Sequence, residues 1–167
     1  KLSQLLNLPV IASNMVNGPI ISRLYFRKDF DGIQRACRSV VPLLLSSVLG
    51  FLLLLLFPGW MLRLFDSEYA IAVPALLILS VAQLVPAMCG NVGVLMLMAG
   101  GERRFLFLTT LSEGSGLCLL IFLAPKYGLV GAALAVLFGK LGWNLLAVFW
   151  CRTYLGVDPT VLSLLRR

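Results

Sequence analysis

Val40-Val41-Pro42-Leu43-Leu44-Leu45-Ser46-Ser47-Val48-Leu49-Gly50-Phe51-Leu52-Leu53-Leu54-Leu55-Leu56-Phe57 carries no charge and closes on an unbroken run of leucines between two phenylalanines. A hydrocarbon core of about 30 Å demands a helix of this length and hydropathy. The rest of the chain repeats the pattern. Of its 167 residues 60% are hydrophobic and 13% charged, with a mean hydropathy of +0.97 and a formal charge of +7. Soluble domains are about half apolar and a quarter charged, so this balance excludes a water-soluble enzyme or binding module. The sequence predicts an all-α, multi-pass helical membrane protein.

Five spans are expected, over 2–21, 40–57, 70–98, 105–124 and 129–150, with a tail at 151–167. The first is interrupted by Asn7, Pro9, Asn14, Asn17 and Pro19. The third is longer than a bilayer requires, and Pro86 inside it predicts a kink over 82–86. Pro125-Lys126-Tyr127-Gly128 leaves room only for antiparallel neighbours.

Cytoplasmic loops retain Lys and Arg, and this orients the spans. Arg23, Arg27, Lys28, Arg35 and Arg38 follow the first span, Arg103 and Arg104 follow the third, and Arg152, Arg166 and Arg167 lie in the tail. The alternate connections hold only Arg63 and Lys126. The C-terminus is therefore expected in the cytoplasm and Lys1 outside, which together with the missing initiator Met predicts a piece of a longer protein. In the tail, Asp158 as N-cap and Pro159 behind it predict a short interfacial helix, with the beginning of another span as the competing reading.

Charges inside spans are costly and should face a partner or a polar cavity. Glu113 lies nine residues past Arg104, roughly 14 Å along a helix, and Lys140 twelve residues before Arg152, roughly 18 Å. Antiparallel neighbours would bring both into one layer, pointed inward, as a structural ion pair or as a coupling-ion and substrate site. Asn14 and Asn17, together with Gln83, Asn91 and Asn144, are candidates to line a polar cavity or to bond between helices. Gly131, Ala135 and Gly139 recur every four residues and permit close helix contact. Trp60 and Trp150 fall near expected interfaces, and Trp143 further inside.

The chain has no His, no nucleophile elbow and no phosphate-binding glycine loop, and Cys37, Cys89, Cys118 and Cys151 are widely spaced. No catalytic residue, metal site or cofactor is expected. Nucleic acid is excluded as a partner, because the basic residues sit between apolar blocks rather than along one face. Any active transport should be secondary, driven by an ion gradient.

Three stretches carry a family resemblance: Pro58-Gly59-Trp60-Met61-Leu62-Arg63-Leu64-Phe65-Asp66-Ser67-Glu68-Tyr69, the turn Gly100-Gly101-Glu102-Arg103-Arg104, and Leu123-Ala124-Pro125-Lys126-Tyr127-Gly128-Leu129-Val130-Gly131-Ala132-Ala133-Leu134-Ala135. In order and separation they resemble the C-terminal part of the polysaccharide biosynthesis transporters, the Wzx-like lipid-linked oligosaccharide flippases of the multidrug/oligosaccharide/polysaccharide exporter superfamily. The resemblance implies most of the second bundle of a two-bundle transporter, partnered by an N-terminal helical bundle. It also implies alternating access that moves an isoprenoid-linked glycan across the bacterial inner membrane. A multidrug or cation antiporter of the same superfamily is the alternative, and a non-transporting scaffold for glycan assembly, docking through 23–38, is a third reading.

Overall fold

The computed structural model describes residues 2–39, 41–56 and 72–161. A 3-10 turn, Leu2–Asn7, leads into α1 (Leu8–Phe26), followed by α2 (Phe30–Ser39), α3 (Val41–Leu56), α4 (Val73–Cys89), α5 (Val92–Met98), α6 (Glu102–Trp150) and a π-helical turn, Cys151–Leu155. The chain is all-α over the described residues, as the sequence predicts. Trp60 and the resemblance-bearing stretch 58–69 lie outside them.

Pro9 falls in the first turn of α1, where a missing N–H loses no helical partner. α1 ends where Lys28 takes a φ of 55° and the amides of Lys28 and Asp29 turn back to the carbonyls of Tyr25 and Leu24, at 2.9 and 3.0 Å. Asp29 then caps α2, its Oδ1 accepting from the Gly32 amide at 2.7 Å. The basic stretch 23–38, expected as a loop, is thus two helix ends joined by a tight turn. Hydropathy averages hide α2 because it is short and strongly two-faced. Ile33 and Cys37, one turn apart, are buried, while Asp31 and Arg35 are exposed.

Both α2 and α3 run antiparallel to α1. The Asn17 amide donates to the Ala36 carbonyl at 3.1 Å, and the Ser47 hydroxyl to the Leu6 carbonyl at 2.7 Å. Val10 and Val41 share a small core with Ala87 and Val161, and Leu6 meets Leu76 and Phe51 in another. α4 therefore lies parallel to α1 and antiparallel to α3.

The bend in the third apolar segment is displaced from its expected place. α4 stays intact through Pro86, whose carbonyl accepts from the Gly90 amide at 3.0 Å. The break comes at Gly90, with φ 75° and ψ −153°, and α5 leaves α4 at 47°. A proline removes one helical donor, but this backbone conformation is one that essentially only glycine adopts, so the glycine decides where the axis turns.

α6 is a hairpin. Gly128, with φ 56° and ψ −131°, reverses the chain between arms 102–127 and 129–150. The two arms pack through small residues: a Cβ added to Gly116 would lie 3.1 Å from the Ala135 carbonyl oxygen and 3.3 Å from Cα of Gly139, and Gly131 lies tight against the Leu123 carbonyl. The glycine spacing on the second arm serves contact within the chain, as expected. Phe105 and Trp143 close the other end edge to face, centroids 5.8 Å apart.

Taken as one stretch, Glu102–Leu155 is long and apolar enough to cross a membrane, and α4 with α5 reaches that length as a bent pair. The surface is dominated by large apolar side chains. Met15 is 74% exposed and Phe122 69%, whereas Ser13 and Asn144 are fully buried. Water-soluble proteins distribute these residue types the other way round.

Candidate functional site

Of the polar residues singled out in the sequence, Asn91 stands at the break between α4 and α5, where it is bonded to α1. α1 buries Val10, Ser13, Asn17, Gly18 and Ile21, the i, i+3, i+4 stripe of one helical face. Within it the Ser13 hydroxyl donates to Asn91 Oδ1 at 2.7 Å, and the Asn91 amide reaches back to the Ser13 carbonyl at 3.4 Å. Asn91 stands immediately after Gly90, so the bend and the polar pair are one feature. Asn17 lies one turn along and is spent on the Ala36 carbonyl of α2.

The second arm of α6 approaches the break through Trp143. Trp143 packs against Gly93, where an added Cβ would sit 3.8 Å from the indole ring. The adjacent Asn144, fully buried, donates through its Nδ2 to the Lys140 carbonyl at 2.8 Å, and its Oδ1 has no hydrogen-bond partner. The carboxylate of Glu113 rests on Gly139, with Oε2 3.0 Å from the Cβ position of that glycine. A run of neighbouring residues thus leads from Glu113 through Gly139, Lys140, Asn144, Trp143 and Gly93 to Asn91 and Ser13.

Glu113 and Lys140 share a layer, as their depths predict, but they form no ion pair and do not both point inward. Glu113 is exposed and Lys140 half-buried. The contact stripe of the first arm passes through Ser112 and Gly116, both buried, and one residue past Ser112 rotates a side chain about 100° out of the stripe. Gln83 is buried on α4 with its Oε1 unpartnered, and Asn14 is half-buried with its Oδ1 unpartnered. Neither joins the Ser13–Asn91 pair. Ser13 was missed because a lone serine in an apolar run reads as neutral, although its i+4 spacing from Asn17 marks the shared face.

Most of the helix expected after Asp158 lies outside the described residues, which end at Val161. Gly156 ends the π turn in the left-handed region, with φ 65° and ψ 13°, and Val157, Pro159 and Val161 beyond it are buried. The Thr160 amide donates to Asp158 Oδ1 at 3.1 Å, so Asp158 makes a cap-like bond, and any helix beyond it lies outside the described residues. Burial pushes against ionisation of Asp158. Hydrogen bonds from Thr160 and the Arg152 guanidinium, 2.9 Å away, overcome this and hold the carboxyl below its ordinary range.

Trp150, expected in an interfacial belt, is instead buried and stacked on Tyr154, centroids 5.7 Å apart. Cys37, Cys89 and Cys151 meet in one apolar core, and burial, reinforced by the Asp158 charge, pushes the Cys37 thiol up to about 12. Cys37 is therefore an inert packing group at neutral pH.

No family model, curated protein or solved structure matches this chain. The class is set by the fold itself: an all-α assembly with a long apolar hairpin and a broken apolar helix.

Proposed function

We propose that the chain is part of the helical bundle of a secondary membrane transporter, with α1, α3, the α4–α5 pair and the two arms of α6 as its five spans. The observation that carries this reading is the helix broken at Gly90–Asn91 within a layer of buried polar side chains. Carriers place substrate and coupling-ion sites where an interrupted helix meets polar groups near mid-membrane, since irregular backbone survives there only against protein or water. Lys140 lies one helical turn before Asn144 on the second arm of α6, and Glu113 lies against Gly139 beside it. Each arm of the α6 hairpin, at about 1.5 Å per residue, spans a hydrocarbon core by itself.

The sequence resemblance supplies the cargo class, a lipid-linked oligosaccharide moved across the bacterial inner membrane by alternating access. Expression of the full-length protein in a strain lacking its glycan flippase tests the reading. Restored surface glycan, and its loss in Glu113→Gln at unchanged protein level, is the expected result. Failure of the full-length protein to restore glycan, when it is present in the membrane, rejects the cargo assignment.

A further inference from the structure

A second polar feature lies far from the break, at the end of the bundle that carries the basic residues. A cavity of about 500 Å³ opens between the start of α6 and the π turn, lined by Tyr25, Gly101, Arg103, Arg104, Trp150 and Tyr154 among others. Its chemistry is one-sided. The Arg104 guanidinium lies 4.7 Å from the Tyr154 ring centroid and 5.8 Å from that of Trp150, held by aromatic faces rather than by a carboxylate. Arg103 has no ion pair or hydrogen bond among the described residues. Trp150 is 9% exposed, and its Nε1 donor is buried without an acceptor. No side chain caps the first-turn amides of α6, which leaves free N–H groups and the positive end of a long helix at the cavity edge.

Two guanidinium groups and the uncapped first-turn amides of α6 therefore border the space, and the carboxylate of Glu102 is the opposing group in its lining. Tyrosine and tryptophan walls beside two arginines suit an amphipathic ligand at a membrane surface, apolar on one side and anionic on the other. We propose that this cavity binds a phosphate group, presented by the headgroup of an anionic glycerophospholipid of the cytoplasmic leaflet. The assignment rests on the membrane reading above. It differs from the transport site, because the cavity lies at the foot of the bundle and contains none of Glu113, Lys140 or Asn91.

The test counts lipid retained by the full-length protein after detergent purification from vesicles of equal phosphatidylglycerol and phosphatidylcholine, by mass spectrometry. The wild type is expected to keep phosphatidylglycerol preferentially. Arg103→Gln/Arg104→Gln should lower retention roughly ten- to thirtyfold, the usual contribution of two basic side chains at an anionic surface. Trp150→Phe should lower it less, and Arg27→Gln/Lys28→Gln, in the neighbouring basic turn, should leave it unchanged. Sodium phosphate at millimolar concentration should fail to displace the lipid, and displacement would overturn the lipid as the source of the phosphate. Equal retention by wild type and the 103/104 variant overturns the site. Recovery of the wild type without detergent in the aqueous fraction would instead reject the membrane reading, and is scored before any lipid is counted.

Discussion

Gln34 and Asp158, 124 residues apart, are joined by two hydrogen bonds: the Gln34 side-chain amide donates to the Asp158 carbonyl at 2.8 Å, and its Oε1 accepts from the Asp158 amide at 2.7 Å. One side chain thus satisfies both polar groups of a backbone unit, as a neighbouring strand would, and ties the tail to α2. Gln34→Ala removes both bonds at about 1 kcal/mol each. The expected outcome is faster tryptic cleavage after Arg152 with the helical bundle intact. Unchanged cleavage would show that Val157 and Pro159 hold the tail unaided.

The same tail should respond to acid. The carboxyl of Asp158 is held below its ordinary range in the folded chain. The stabilisation is therefore complete above the unfolded value, about 4, and is lost as pH falls through the lower folded value. Protection of the Asp158 and Thr160 amides from hydrogen exchange, corrected for the intrinsic pH dependence of exchange, should be flat between pH 5 and 8 and fall only below about pH 4. In Asp158→Asn that acid dependence should disappear.

Glycines in the first arm of α6 should divide by neighbour. At Gly116 an added methyl would meet backbone of the second arm at 3.1 Å, whereas at Gly114 nothing lies within 4 Å. Gly116→Val should therefore push the arms apart and destabilise by roughly 1–3 kcal/mol, the usual cost of overpacking. Gly114→Ala should be neutral or stabilising by up to about 1 kcal/mol through helix propensity. Thermal unfolding in detergent compares them, and equal losses at both positions would contradict the hairpin packing.

Cysteine chemistry separates surface from core. Cys118 is exposed on the first arm, and Cys37, Cys89 and Cys151 are buried. In intact membranes a lipid-soluble maleimide should modify Cys118 alone, and a charged thiol reagent none of the four until the protein is denatured. Reaction of Cys118 with the charged reagent would place that face in water.

The hairpin at Gly128 was legible because Pro125 to Gly128 is too short a connection for any other arrangement, and the small residues of the second arm announce what they touch. The all-α class followed from hydropathy alone. α2 escaped because its apolar stripe is only Ile33 and Cys37 within a basic segment, and an average over such a window sees charge. The break was misplaced because Pro86 is the conspicuous residue, while the φ of Gly90 that bends the axis leaves no trace in composition. Pairing of Glu113 with Lys140 was inferred from depth, which periodicity gives. Which way a side chain faces depends on the contact stripe of its helix, and Ser112 and Gly116 occupy that stripe instead.

On the proposed function both arms of α6 cross the membrane with Lys126 at the outer turn. Single cysteines at Arg103, Lys126 and Arg152 in the otherwise cysteine-free full-length protein, exposed to a membrane-impermeant maleimide on intact spheroplasts, test it directly. Lys126→Cys is expected to label from outside, and Arg103→Cys and Arg152→Cys only after permeabilisation. Labelling of all three positions on one side of the membrane would contradict it.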